Sequence, residues 1–214
     1  MANNDLTGKT IGWIGTGRMG YAMAERLLKA GADLSAWNRT KSKAEPLAEL
    51  GATIVDNPAD LAGCDIVFTM VGGPADFIQV TKGENGVLAQ GDKVPGLLID
   101  CTSISEEASH EVREFATSVG TSMLDAPVSG NAKVVKAGKL SIVASGTKDA
   151  FDEALPYLEA IAIGVSYVGE GELARMVKIC HNVFLGVVIQ SLAEITVLAE
   201  KGGVPRHAFM DFIN

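Results

Sequence analysis

The chain has 214 residues, 47% of them apolar, which suits one large domain or one domain and part of a second. Its formal charge is -8, its pI is near 4.9, and no Lys/Arg-rich run breaks the acidic balance. That argues against a nucleic-acid partner and favours a small polar ligand.

Three cysteines, Cys64, Cys101 and Cys180, are far apart and odd in number, so a disulfide framework is not expected. The N-terminal "MANNDLTGKT" has no apolar core of the signal-peptide kind. A reducing cytoplasm is the expected compartment. The most apolar long run is 183–199, interrupted by Gln190, Ser191, Glu194 and Thr196. It reads as a buried helix, and no membrane partner is expected.

In chain order, "TIGWIG" (10–15) is a short apolar strand. Residues 18–30 form a helix with Met19, Met23, Leu27 and Ala30 along one face, ended by Gly31. "DLSAWN" (33–38) is the second strand. A helix follows over 41–50, with Pro46 inside it and Gly51 as its cap. "ATIV" (52–55) is a strand, and Asn57-Pro58 opens a short helix through Leu61. "DIVFTMV" (65–71) is a buried strand, and Gly72-Gly73-Pro74 starts another helix. "GLLIDC" (96–101) is the next strand. The helix 105–120 has Ser105 as its cap and Gly120 as its stop. Later strands are expected within "TSMLDAP", "KLSIVAS" and "GVSYVG", with helices near 130–137 and 148–162. Such alternation predicts a parallel sheet with helices on both faces, continuing to about residue 169.

The first strand runs into "IGWIGTGRMG", with Gly15, Gly17 and Gly20 in the spacing G-x-G-x-x-G. Between a strand and an amphipathic helix, this spacing reads as a dinucleotide cradle. Gly15 allows the tight turn, Gly17 lets the backbone approach a pyrophosphate, and Gly20 lets helix and strand pack. Thr16, Arg18 and Met19 share that turn. The helix N-terminus offers N–H groups and a positive dipole end to the anion. The second strand ends in Asn38-Arg39-Thr40, and no acidic residue lies between Leu34 and Ala44. An acid there would take the 2′-hydroxyl of NAD, whereas an arginine suits a 2′-phosphate. NADP(H) is therefore the expected cofactor, with NAD(H) possible.

Three further stretches carry a resemblance: "DCTS" (100–103), "DAPVSGNAKVVKAGKLSIVASG" (125–146) and "GEGELARMVKICHN" (169–182). Together with the glycine motif they resemble the β-hydroxyacid dehydrogenases, from about residue 10 to the end of the chain. That family includes 3-hydroxyisobutyrate dehydrogenase and the glyoxylate/succinic semialdehyde reductases. The resemblance implies an α/β, Rossmann-like, doubly wound, mostly parallel sheet, then a long interdomain helix and a truncated helical domain. The implied boundaries are 1–169 for the dinucleotide-binding domain, and 170–214 for the helix and the start of an all-helical domain.

It also implies site residues. Ser129 and Gly130 would hold the substrate carboxylate and hydroxyl. Asn131 stands beside them where the family usually has a second glycine, and Val134-Val135 replace a usual Gly-Ala. The catalytic lysine falls on Lys178 and its supporting asparagine on Asn182, four apart on one helix face. Apolar neighbours would desolvate the amine, lower its pKa and suit it to proton exchange. His181 replaces a common asparagine. Met70 and Val71 end the fourth strand, and Pro74 and Thr102 come after strands, on the nicotinamide side. No metal is expected.

The implied activity is hydride transfer between NADP(H) and a small β-hydroxy acid or short aldehyde acid. Two alternatives stand beside it: an imine reductase, and a dinucleotide-binding module inactive without further C-terminal helices. A helix from about Glu172 to Lys201 has too many apolar positions for one stripe, so a homodimer or higher homo-oligomer, paired through this helix, is expected.

Overall fold

The structure, a computed structural model, describes residues 6–213. Apolar runs ended by glycine or polar residues form the predicted elements. β1 (Thr10–Ile14) leads through α1 (Arg18–Lys29) to β2 (Asp33–Trp37), β3 (Thr53–Ile54) and β4 (Ile66–Thr69). Then come α2 (Pro74–Lys82), β5 (Leu97–Asp100), α3 (Glu106–Ser118) and β6 (Ser122–Asp125). All four residues of β4 and of β5 are buried, as in strands covered on both faces. These six strands form one parallel sheet in the order β3-β2-β1-β4-β5-β6. From β1 the chain builds outward to β3, then returns to place β4 on β1's other side. Open α/β sheets form their ligand crevice at such a reversal, outside the carboxyl ends of the strands.

Helix ends follow local chemistry. The Ser105 side chain accepts from Ala108 N–H, with Glu106 and Glu107 in the first turn, and Thr147 accepts from Ala150 N–H at a later helix. Gly51 (φ +100°) and Gly120 (φ +87°) supply the left-handed conformations that end their segments.

Two expectations need correction. The sheet does not continue to residue 169. β7 (Val128–Ser129), α4 (Ala132–Lys136), β8 (Ser141–Ala144), α5 (Lys148–Ile161) and β9 (Gly164–Tyr167) build a second sheet, β7-β8-β9. In it β7 is antiparallel to β8 and β8 is parallel to β9. The physical reason lies at Pro127. Ala126 N–H still bonds to Asp100 O, but Pro127 has no N–H to continue the ladder. An Asp125–Ser145 antiparallel bridge ties the second sheet to the first. The two share one core all the same, with Phe151, Leu158 and Ile161 in the cluster of Trp13 and Phe68.

The expected helix over 41–50 is instead two 3₁₀ segments, Lys41–Lys43 and Glu45–Leu50. Pro46 lacks an N–H and disfavours helical geometry in the residue before it, so no continuous α-helix winds through it.

Two compact units divide the chain, Met1–Met176 and Val177–Asn214. α6 (Leu173–Lys201) begins in the first and supplies most of the second, followed by α7 (Arg206–Ile213). Arg206 pairs with Glu200 through Nη2–Oε2 at 2.9 Å across the Gly202-Gly203 turn. Val183, Phe184, Val187, Ile189 and Leu198 of α6 are all at least 60% exposed, so the burial expected of this apolar run is not supplied by the described residues of this chain. By length and composition α6 could cross a membrane. Its uncharged run, 179–193, is nevertheless shorter than the roughly 20 residues a bilayer core requires.

Candidate functional site

The glycine turn sits where β1 passes into α1. Gly15 has φ +98°, and a Cβ there would lie 2.3 Å from Met70 O. A Cβ on Gly20 would lie 2.0 Å from Gly15 O. Both glycines are therefore required by the chain's own packing. Gly17 differs: its φ is -63° and a Cβ would meet nothing within 4 Å. Neither backbone nor packing explains glycine at this position, whereas close approach of a ligand would.

Neighbouring groups fix the turn. Trp13, stacked on Phe68, donates its indole N–H to Gly15 O at 2.9 Å. Thr16 N–H donates to Asn38 Oδ1 at 2.8 Å, and Asn38 Nδ2 donates to Thr40 O. Asn38 thus clamps the turn to the end of β2. No side chain caps α1, and the Thr16 hydroxyl is buried without a hydrogen-bond partner. An uncapped helix start, an orphaned hydroxyl and an open glycine together fit a dinucleotide pyrophosphate.

Beside the turn lies a cavity of about 490 Å³. It gathers Gly15, Gly17, Arg18, Met19, Gly20, Asn38, Arg39, Thr40, Met70 and Val71, all expected from sequence. It adds Trp37, Lys43, Gly72, Asp76, Gln79 and Val80, which sequence reasoning missed. Half of these, Asp76, Gln79 and Val80, come from α2, whose approach to the end of β2 is a tertiary matter. Thr16 lines a neighbouring groove with Tyr21, Lys43 and Lys136. Pro74 opens α2, and Thr102 lies buried behind the cavity, its Oγ1 accepting from Val71 N–H at 3.1 Å. Neither of those two lines the cavity. Arg39 donates to Asp76 Oδ1 at 2.9 Å.

At the carboxyl edge of β5 and β6 lies a buried ionic cluster. Asp100 and Asp125 are direct partners across the two strands. Arg175, 1% exposed, answers both: Nη2 lies 2.6 Å from Asp100 Oδ2 and 2.8 Å from Asp125 Oδ1. Its Nη1 donates to Thr102 O. Arg113 adds a second cation, 2.9 Å from Asp125 Oδ2, and also pairs with Glu172. Burial pushes the Asp125 carboxyl up, and the two guanidiniums act against that. Sequence reasoning overlooked this cluster. The available signal was an aspartate ending each of two apolar strands, "LLID" and "SMLD".

The loop beyond Asp125 carries Ser129 and Gly130. Gly130 has φ +144°, and a Cβ there would press on Val134 Cγ1 at 2.9 Å. Asn131 turns out to be an exposed helix cap: its Oδ1 accepts from Lys133 N–H and Val134 N–H. On α6, Lys178 is half-buried, and burial pushes its ammonium pKa down. Asn182 is exposed one turn later, and His181 is half-buried.

Comparison with known proteins completes the assignment. Residues 10–169 match the NAD binding domain of 6-phosphogluconate dehydrogenase. This chain belongs to the β-hydroxyacid dehydrogenase family. It is 32% identical to glyoxylate/succinic semialdehyde reductase 2 of Arabidopsis thaliana, over 99% of this chain and 59% of that protein. Its fold matches 3-hydroxyisobutyrate dehydrogenase of Mycobacterium tuberculosis, determined with L-serine, at a TM-score of 0.87 and 32% identity. That match covers 96% of this chain and 69% of the other. An imine reductase of Myxococcus stipitatus in complex with NADP+ matches at 0.80 and 27% identity, over 95% and 70%. The chain thus spans about six to seven tenths of these relatives' length.

Proposed function

We propose that this β-hydroxyacid dehydrogenase family chain is an NADP(H)-preferring oxidoreductase acting on a small β-hydroxy acid or short aldehyde acid. The observation that carries the cofactor part is Gly17, a glycine that the folded chain itself does not require. When bound, the nicotinamide ring supplies or accepts the hydride.

In this reading the chain's residues do the rest. Ser129 and the Gly130 backbone hold the carboxylate. Lys178 takes the hydroxyl proton during oxidation and returns one to the carbonyl oxygen during reduction. Asn182 orients the amine or the substrate. Desolvation of the Lys178 ammonium supports this role, because it makes the neutral, proton-accepting form available at lower pH.

Gly17→Ala tests the cradle. The chain has room for the methyl group, but Gly17 is the N-cap of α1, where alanine is less favoured than glycine, so a cost of about 1 kcal/mol should lower the melting temperature by only about 2–4 °C. Affinity for NADP+ should fall about tenfold or more, a loss of at least ~1.4 kcal/mol. Titration calorimetry alongside a thermal melt separates the two. Unchanged affinity would remove the pyrophosphate from this turn.

Turnover of a panel of β-hydroxy acids and aldehyde acids, with both cofactors and in both directions, tests the catalytic part. Dinucleotide binding with no turnover would replace it with a binding module. Reduction of a cyclic imine in place of glyoxylate or succinic semialdehyde would favour the imine reductase reading.

A further inference from the structure

The end of β2 carries three cations within five residues, Arg39, Lys41 and Lys43, and no acid. By sequence alone this is an uncontested site for a 2′-phosphate. Folding changes the charge balance. Lys41 is drawn to Asp56, at Nζ–Oδ1 2.5 Å. Arg39 Nη1 lies 2.9 Å from Asp76 Oδ1, although the two residues are 37 apart in sequence. Arg39, Lys43 and Asp76 all line the 490 Å³ cavity that contains the glycine turn.

We propose that Asp76 is a specificity-determining residue that opposes Arg39 and keeps the discrimination between NADP(H) and NAD(H) small. This rests on the dinucleotide reading of that cavity. Because the two groups lie 2.9 Å apart, whatever one of them holds is within a few ångströms of the other. A 2′-phosphate held by Arg39 gains charge-assisted bonds, yet it must share the guanidinium with a carboxylate and is repelled by it. The 2′-hydroxyl of NAD(H) carries no charge, suffers no such repulsion, and can donate to a carboxylate. Asp76 therefore provides from α2 the acid that the β2 end lacks. Arg39 is 79% exposed and Asp76 37%, so solvent weakens their own pairing, and an arriving phosphate can draw Arg39 away.

Asp76→Asn tests this while keeping the side chain's size. Equilibrium dissociation constants for NADP+ and NAD+ are measured by titration calorimetry on the full chain, at low and at physiological salt, for the native protein, Asp76→Asn and Arg39→Gln. Thermal melts confirm the fold. Asp76→Asn should tighten NADP+ about 3- to 10-fold and leave NAD+ unchanged or up to about 3-fold weaker, raising the NADP+/NAD+ ratio most at low salt. Arg39→Gln should lower that ratio at least tenfold. A ratio that stays within twofold in Asp76→Asn, or falls, overturns the role of Asp76 and leaves the dinucleotide site standing. A native chain that binds neither cofactor overturns both.

Discussion

Replacing Arg175 by methionine is expected to destabilise the protein by about 3–5 kcal/mol, the cost of removing one partner from a buried ionic group. The reason is the strand register. Asp100 and Asp125 face each other across β5 and β6, fully buried, and like charges directly opposite in a sheet repel. Arg175 bridges them, and its loss would leave Arg113 as the remaining cation on Asp125, with none on Asp100. Domains are typically stable by about 5–15 kcal/mol, so this one change removes a large share. At about 2–4 °C per kcal/mol for a chain of this size, the melting temperature should drop by on the order of 10 °C. Urea unfolding followed by circular dichroism measures it. Adding Asp100→Asn to the Arg175→Met chain should restore part of the loss, because the stranded charge is then gone. A loss below about 1 kcal/mol would mean that the cluster does not hold the strand ends together.

The second large effect concerns catalysis. In the turnover assay, Lys178→Ala should lower kcat by about 10²- to 10⁴-fold, the usual contribution of a positioned general acid or base. Cofactor affinity should stay within about twofold, since no cofactor contact is assigned to the amine. The pH profile adds an independent readout. Burial lowers the Lys178 pKa, so the neutral amine forms at lower pH than in a solvated lysine. Oxidation, which needs the base, should rise with pH through an inflection below the ordinary lysine value, and reduction, which needs the acid, should fall across the same range. Lys178→Arg should not restore oxidation, because guanidinium stays charged throughout. Near-native activity in Lys178→Ala would show that another group moves the proton.

The two effects differ in how readily the residues could be found. Lys178 and Asn182 emerge from a motif whose spacing survives in the linear chain. Arg175 lies three residues before Lys178 in the same stretch, yet nothing in its neighbourhood marks it as buried. Its partners are 75 and 50 residues away, so its role exists only once β5, β6 and α6 are assembled.

What the sequence determined by itself is what short-range chemistry controls. The alternation of apolar strands and amphipathic helices set the doubly wound sheet, because side-chain period is a property of consecutive residues. The Gly15–Gly20 spacing, the Ser105 cap and the left-handed glycines at 51 and 120 are likewise written within a few positions. Tertiary structure decided the rest. It ended the first sheet at Pro127 and put β7–β9 in a second one. It paired Asp100 with Asp125 and so made Arg175 necessary, and it made Asn131 a cap. It also carried Asp76 to Arg39, giving the β2 end an acid that its own sequence lacks. Register, burial and charge pairing join residues tens of positions apart, and a local pattern holds no information about which distant group will be brought alongside.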